Sequence, residues 1–82
     1  MRDLKLIWDF KGPDAHKIAE HHVIHLKEYV KASQVPVTII TTEIINELHS
    51  IAYLVVREDA MKPIRDGLKP HRGQVYQSNL DT

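Results

Sequence analysis

The chain has no cysteine, no excess of charge of either sign and no long apolar run. Without cysteine, a disulfide scaffold and a zinc ribbon are both excluded, and nothing indicates an oxidising compartment. Eleven basic and eleven acidic side chains cancel, so no long-range field draws the chain to nucleic acid or to an anionic membrane. The N-terminal residues lack the apolar stretch of a signal peptide, and no segment has the roughly 20 apolar residues that span a bilayer. We therefore expect a cytoplasmic protein without nucleic-acid or membrane partners.

The length and composition predict a single small globular domain over residues 1–82. Hydrophobic residues make up 43% and charged residues 27%, which is the balance of an ordinary folded domain. A domain of this size buries only roughly 60–65% of its unfolded surface, so its core is thin and a second subunit would stabilise it. The zero net charge also favours self-association.

The first part of the chain has the pattern of a strand followed by a long helix. Residues 4–10 alternate, which predicts a strand with one apolar face formed by Leu4, Leu6, Trp8 and Phe10. Gly12 breaks the strand, and Pro13 is favourable in the first turn of a helix. Helical spacing of apolar residues then continues to about Ser33.

Three further strands and a second helix are predicted in the rest of the chain. Residues 37–42 are β-branched and residues 50–56 are apolar, so both segments favour strands. A helix is expected from Arg57 to Lys69, with an inner stripe formed by Met61, Ile64 and Leu68. Gly73 is expected in the turn that follows, residues 74–78 as an edge strand, and the last four residues as a frayed end.

Residues 42–49 allow two interpretations. A hairpin that turns near Asn46 and Glu47 would join the second and third strands directly. A short helix capped by Thr42 is the alternative, because Ile44, Ile45 and Leu48 have helical spacing. We favour the hairpin.

The predicted order is β-α-β-β-α-β, the ferredoxin-like arrangement of an α+β domain. Two helices would cover one face of a four-stranded antiparallel sheet. The strands are nevertheless apolar on both sides, with Ile51 and Val55 alternating with Ala52 and Leu54, and with Ile7 and Ile40 expected on the second side. A sheet with one solvated face should alternate apolar and polar residues. Because no segment is left to cover the second face, we expect a homodimer packed sheet to sheet.

This element order and these doubly apolar strands resemble the small bacterial ferredoxin-like proteins that pair as dimeric α+β barrels. That group includes muconolactone-isomerase-like and antibiotic-monooxygenase-like proteins. The segment from Trp8 to Leu26 also resembles uncharacterised bacterial proteins of similar length. The resemblance implies a homodimer with a ligand between the sheet and its helices, but one fold hosts many activities, so it implies no reaction.

Four of the six histidines lie within ten residues of the long helix, at positions 16, 21, 22 and 25. A helical wheel predicts a stripe that faces the sheet, formed by Ala15, Ile18, Ala19, His22, Leu26, Tyr29 and Val30. His22 would then be a neutral acid, base or hydrogen-bonding group in a pocket near Trp8. The alternative is a core histidine that bonds a backbone carbonyl or the hydroxyl of Tyr53.

His21 and His25 are four residues apart, the spacing at which two imidazoles on one helical turn can hold one metal ion. Glu28 is a third candidate ligand. His22 occupies the position that glutamate holds in the zinc-protease motif, so the general base of that chemistry is missing. A solvated border of the helix is the alternative to a metal site.

Polar residues outside the helix give weaker signals. His49 is expected to approach the long helix and joins His22, Trp8 and Tyr53 as a candidate ligand-binding residue. Asp9 is expected on the second sheet face, paired across the dimer with Lys5. A basic cluster at the second helix could bind a phosphate or carboxylate, but we favour a solvated helix end; it comprises Lys62, Arg65, Lys69, His71 and Arg72.

Three functions remain compatible with the sequence. The favoured one is a non-enzymatic homodimeric module that binds a small molecule or acts through assembly. The second is a cofactor-free isomerase, lyase or oxygenase that uses His22 as acid or base. The third is metal binding through His21, His25 and Glu28. The residues indicate no particular cofactor and leave open whether the protein is an enzyme.

Overall fold

The computed structural model describes residues 2–76, which form a four-stranded antiparallel sheet and two α-helices. The strands are β1 (Asp3–Lys11), β2 (Val37–Asn46), β3 (His49–Arg57) and β4 (Arg72–Tyr76). The helices are α1 (Ala15–Ser33) and α2 (Met61–Leu68), and a 3-10 turn (Glu58–Ala60) precedes α2. The predicted α+β class is confirmed. Neither described helix is both long enough and apolar enough to cross a membrane.

Residues with positive φ lie in the turn before α1 and at the C-terminal ends of α1 and α2. Gly12 has φ of 113°, a conformation that side-chain-bearing residues rarely adopt, and its N–H donates to the Leu48 carbonyl at 2.8 Å. This bond ties the turn before α1 to the β2–β3 turn. Gln34 (φ 58°) ends α1 and Lys69 (φ 50°) ends α2, each donating its N–H to a carbonyl in the last helical turn.

The strand order across the sheet is β2-β3-β1-β4, and all neighbouring pairs are antiparallel. Residues 42–49 form the end of β2, a turn at Glu47 and Leu48, and the start of β3. The hairpin is therefore confirmed and the short helix is wrong. The Asn46 side chain accepts the Leu48 N–H at 2.9 Å, which stabilises the tight turn in place of a helix cap.

Gly73 lies inside β4, so its predicted place in a turn is wrong. β4 begins at Arg72, opposite Ile7, and Gly73 lies opposite Leu6. The edge position tolerates a glycine because β4 pairs on one side only. Residues 77 and 78 of the predicted edge strand, and the end expected to fray, lie outside the described residues.

Both helices pack on the same side of the sheet, which we call the helix-covered face. Its buried cluster joins strands β1 and β3 to the two helices through Leu6, Trp8, Ala19, Val23, Leu26, Ala52, Leu54, Val56 and Ile64. Gly67 lets the two helices approach closely, because a side chain there would meet the Tyr29 hydroxyl. The core therefore lies between the helices and the two central strands.

The predicted stripe of α1 was too wide at its N-terminal end. Ile18 was expected to face the sheet, but it is 48% exposed. Val23, which the stripe omitted, is buried instead. The helix meets the sheet along Ala15, Ala19, Val23 and Leu26, and Ile18 lies to one side of that line.

The other side of the sheet, which we call the open face, also contains buried aliphatic residues. Ile7, Ile51 and Val55 are each at most 2% exposed within a single chain. The expectation that the chain itself leaves this face bare is therefore wrong. Ile40 was expected here, but it pairs with Leu54 and packs on the helix-covered face. The bulge between Val37 and Ile39 shifts the alternation of β2.

Charged side chains lie among these aliphatic residues on the open face. The Lys5 Nζ is 4.1 Å from the centroid of the Tyr53 ring and 3.7 Å from Glu43 Oε1. Lys5 is on β1 and Glu43 is on β2, so the Lys5 side chain reaches across β3 to Glu43. The long aliphatic stem of a lysine covers apolar surface while its charge stays at the water boundary.

A second group of charges surrounds Asp9 on the same face. Arg72 donates to both carboxylate oxygens at 2.9 and 3.0 Å, and His49 Nε2 is 2.8 Å from Oδ1. The Arg72 bonds, helped by His49, lower the pKa of Asp9 to about 2. Asp9 therefore has partners within its own chain, and its pairing with Lys5 of a second subunit stays a prediction. The register across β4, β1 and β3 brings Arg72 and His49 to the carboxylate.

Candidate functional site

A groove between α1 and the end of β1 contains most of the histidine-rich helix surface. It has a volume of about 370 Å³ and is lined by Phe10, Lys17, Ile18, His21, His22 and His25. Four of these residues lie at positions i, i+3, i+4 and i+7 of α1, so they form one continuous stripe of the helix. Phe10 is the last helix-facing side chain of β1 and forms the opposite wall. We call this the α1 groove.

His22 forms the inner wall of the α1 groove. Its ring centroid is 5.2 Å from that of Trp8 and 5.3 Å from that of Phe10, and both ring pairs are tilted. Its Nε2 is buried and has no hydrogen-bond partner. Burial lowers the pKa of His22, and the nearby His25, His71 and His21 lower it further. The imidazole is therefore held in its neutral form beside two aromatic rings.

Trp8 is fixed by a hydrogen bond to the C-terminal end of α2. Its indole Nε1–H donates to the Leu68 carbonyl at 3.0 Å, at the last residue of α2. This bond satisfies the single polar group of a buried indole and sets the orientation of the ring. Trp8 and His22, both named from the sequence as candidate site residues, thus lie side by side.

His71 contributes to this end of the molecule, and the sequence named it only as a member of the basic cluster at the second helix. Its Nδ1 accepts the backbone N–H of Asp9 at 2.9 Å, so its side chain prolongs the β1–β4 pairing beyond the start of β4. Its ring centroid is 6.4 Å from that of Phe10. The sequence places His71 only in a basic segment after α2. The feature of the sequence that could have indicated this contact is the position of His71 between Pro70 and the edge strand.

His21 and His25 lie at the rim of the α1 groove with their Nε2 atoms 3.1 Å apart. Glu28 approaches the other nitrogen of His25, with 3.7 Å between Oε1 and Nδ1. His21 and Glu28 therefore both lie close to His25, but each approaches a different nitrogen of its ring. Within residues 2–76, no group of three or more histidine and carboxylate side chains is arranged to hold a metal ion.

Tyr53 and His49 lie on the other side of the sheet from His22 and Trp8. Tyr53 pairs with Ile7 on the open face, where burial raises the pKa of its phenol. His49 contacts Asp9 on that same face. The four candidate ligand-binding residues thus divide into two pairs separated by the strand layer. Of the four, only His22 lines the α1 groove, and Trp8 lies against its ring.

A second groove of about 400 Å³ lies beside β4, on the helix-covered face. Its walls are mainly aliphatic, from Leu4, Leu6, Met61 and Val75. Arg65 lies at its margin and is 3.4 Å from Asp66. This groove is slightly larger, but it has no imidazole and no buried unpaired polar atom. The α1 groove is therefore the better candidate site on chemical grounds.

No family model matches this chain, and no curated protein or solved structure is significantly similar to it.

Proposed function

We propose that this protein is a homodimeric module that binds a small molecule in the α1 groove. One observation carries the proposal. The His22 imidazole lies against two aromatic rings at the inner wall of a groove, with one ring nitrogen buried and unpaired. A buried polar atom without a partner costs stability, on the order of 1–3 kcal/mol. Because Nε2 is buried, Nδ1 is the nitrogen of His22 that a ligand in the groove can reach, so the ring offers one hydrogen-bonding group on a wall that is otherwise aromatic.

Binding is better supported than catalysis by His22. A general base needs a group that orients it and fixes its proton. Among the described residues, no carboxylate contacts the His22 ring, and its neighbours are Trp8 and Phe10. An isomerase, lyase or oxygenase that uses His22 as acid or base remains the alternative, supported by the lowered pKa of that imidazole.

A matched pair of groove-filling variants tests the binding proposal. Ile18 and Ile24 are both exposed isoleucines of α1, but Ile18 lines the α1 groove and Ile24 lies on the far side of the helix. A fragment library is screened by ligand-observed NMR against the wild type, Ile18→Trp and Ile24→Trp. We expect fragments that bind the wild type to be lost with Ile18→Trp and kept with Ile24→Trp.

Two results would overturn the binding proposal. One is a library of several hundred fragments that yields no binder of the wild type. The other is a set of binders that Ile18→Trp retains, because these would occupy another surface. A circular dichroism melt of each variant confirms that the substituted proteins are folded.

We propose a ferredoxin-like topology of the dimeric α+β barrel type, with the open faces of two subunits in contact. The β2-β3-β1-β4 order supports this topology, and the zero net charge supports self-association. The absence of cysteine supports a cytoplasmic location. Since Ile7, Ile51 and Val55 are already covered within one chain, the dimer contact would be formed largely by the charged layer above them.

The dimer is tested by light scattering after size exclusion, at about 50 μM protein. We expect twice the mass of the chain for the wild type. Thr41→Glu places a new charge on the open face opposite Tyr53, and Ala32→Glu places the same charge near the end of α1. Dissociation by Thr41→Glu alone supports the proposed contact. A wild-type monomer, or equal effects of both variants, would contradict it.

Metal binding through His21, His25 and Glu28 is a further alternative, favoured by one distance. Two ring nitrogens 3.1 Å apart are close to the separation of two imidazoles on one tetrahedral ion. Untagged protein is titrated with zinc, copper and nickel by calorimetry. Saturable binding that His21→Gln abolishes would support this alternative, and no uptake of any of the three ions would exclude it.

A further inference from the structure

We infer that the α1 groove binds an organic anion with a flat apolar body, such as an aromatic carboxylate. This inference rests on the proposed function, because it names the ligand class for the same groove. It follows from the charge of the lining, the direction of the His22 donor and the size of the cavity.

The polar residues of the lining are all cationic or able to become so. They are Lys17, His21, His22 and His25, and none of the six lining residues is a carboxylate. Two carboxylates of α1 contact histidines at or near this surface but are not lining residues. Glu20 is 3.5 Å from His16, and Glu28 is 3.7 Å from the Nδ1 of His25. A negative ligand in the groove would therefore meet these donors with no carboxylate among the six lining residues.

The buried nitrogen of His22 determines which hydrogen-bonding group the groove receives. A proton on Nε2 would be a buried donor without an acceptor, the more costly arrangement in an apolar setting. The neutral ring therefore favours the proton on Nδ1, the nitrogen that can reach the groove. His22 then offers one N–H donor, and a carboxylate oxygen accepts it.

His21 and His25 reinforce the preference for an anion. With 3.1 Å between their Nε2 atoms, one ring donates its N–H to the other. The ring nitrogens that this contact leaves free are further hydrogen-bonding groups at the rim of the groove. An anion beside the pair accepts from their N–H donors, together with the Lys17 ammonium.

The apolar lining and the volume limit the body of the ligand. Phe10 and Ile18 provide an aromatic face and an aliphatic edge, and Ile18 is exposed only because the groove is open. A volume of about 370 Å³ is near the lower end for small-molecule sites. It accommodates one substituted ring with its carboxylate, and it excludes a dinucleotide.

The experiment compares three ligands of one shape and different charge: benzoate, benzyl alcohol and benzylamine. Each is titrated to about 20 mM into ¹⁵N-labelled full-length protein, and the amide signals of residues 17–25 are followed. We expect saturable shifts with benzoate, and affinity at least about tenfold lower for the other two ligands, the difference that one charge-assisted hydrogen bond provides.

Lysine variants of α1 supply the matched control. Lys17→Gln removes a cation of the groove, whereas Lys27→Gln removes the same charge from the opposite side of the helix. We expect Lys17→Gln to weaken benzoate binding several-fold and Lys27→Gln to leave it unchanged. If both variants weaken benzoate binding equally, the effect comes from the net charge of the protein, and the proposed class of anionic ligands is wrong.

The outcomes separate this inference from the proposed function. If all three ligands bind the groove with equal affinity, the anion class is wrong and the groove remains a binding site. If benzylamine binds best, the class is likewise wrong. If none of the three shifts the signals of residues 17–25, the anion class is wrong, and the fragment screen decides separately whether the groove binds another small molecule.

Discussion

The two faces of the sheet bury their aliphatic residues in different ways. On the helix-covered face, α1 and α2 provide the cover, and the one imidazole among the apolar side chains, His22, has a nitrogen without a partner. On the open face, charged side chains of the strands lie among the aliphatic residues, and Lys5, Asp9 and Arg72 all have partners. These charges of the open face are thus paired, whereas His22 keeps an unpaired nitrogen on the helix-covered face.

This difference between the two faces indicates which one mainly stabilises the fold and which one contains the candidate binding site. The open face gains stability by placing long charged side chains over aliphatic residues, which keeps the charges near water. The helix-covered face accepts a buried nitrogen without a bond at His22, a residue that packing alone would replace with leucine. The Nδ1 of His16, outside the groove, is also buried without a partner. The candidate site is therefore marked by the position of His22 against two aromatic rings in the groove wall, together with its unpaired nitrogen.

The largest expected effect compares adjacent residues on β1 that face opposite sides. Leu6→Ala empties the helix-covered core and is expected to lower the free energy of unfolding by about 2–4 kcal/mol. Ile7→Ala, on the open face, should cost about half as much, because Tyr53 and Arg72 can collapse into the space. Urea denaturation of both variants measures the ratio. An Ile7→Ala protein as stable as the wild type would show that the open face is not a core.

The second effect concerns the carboxylate that joins three strands on the open face. Asp9→Asn keeps the shape but loses the charge that Arg72 and His49 bind, with an expected loss of about 1–2 kcal/mol at pH 7. Asp66→Asn in the exposed pair with Arg65 is the control and should have little effect.

The pH dependence of this pair follows from the lowered pKa of Asp9. The folded-state pKa of about 2 lies below the unfolded value of 3.8, so the stabilisation is complete above pH 4. It is lost as the pH falls through about 2. The difference between wild type and Asp9→Asn should therefore narrow between pH 4 and pH 2, and a constant difference would contradict the ion pair.

The third prediction is an increase in stability, from a substitution on the helix-covered face. His22→Leu removes the unpaired nitrogen and should raise the free energy of unfolding by about 1 kcal/mol at pH 7.5. Because the pKa of His22 is lowered in the folded state, the unfolded chain takes up a proton first as the pH falls below about 6.5. The advantage of leucine should therefore increase at pH 5.5. Equal or lower stability of His22→Leu at both pH values would mean that the imidazole has a structural partner.

The smallest effect concerns the lysine that crosses β3. Lys5→Met keeps the apolar stem but removes the contacts with the Tyr53 ring and with Glu43, so a loss of about 0.5 kcal/mol is expected at low salt. The loss should shrink in 1 M salt, where charge pairs are screened. A loss that does not depend on salt would assign the effect to packing.

The elements of the fold could be predicted from the sequence because their signals are local. The alternation of β1, the β-branched residues of β2 and the hairpin at Glu47 were all correctly predicted. The exposure of Ile18 and the burial of Val23 could not be, because a helical wheel gives the amphipathic face of α1 but not its contact line with the sheet.

The candidate site was predictable only in part. Trp8 and His22 were correctly placed near each other, because alternation on β1 and spacing on α1 direct both to one side of the sheet. The partners of Asp9 depend on the register between three strands, which no local pattern encodes. His71 was overlooked for the same reason, since its contact with Asp9 joins residues 62 positions apart.

The position of β2 has a consequence for the behaviour of this protein at high concentration. β2 is a ten-residue strand at the margin of the sheet, rich in isoleucine and threonine, and Glu43 is its single charged residue. Such a strand is a template for fibril-like pairing between molecules, and charged residues that interrupt it act as gatekeepers. The Lys5–Glu43 contact therefore has a second consequence beyond stability: it holds in place the one side chain that discourages aggregation along this strand.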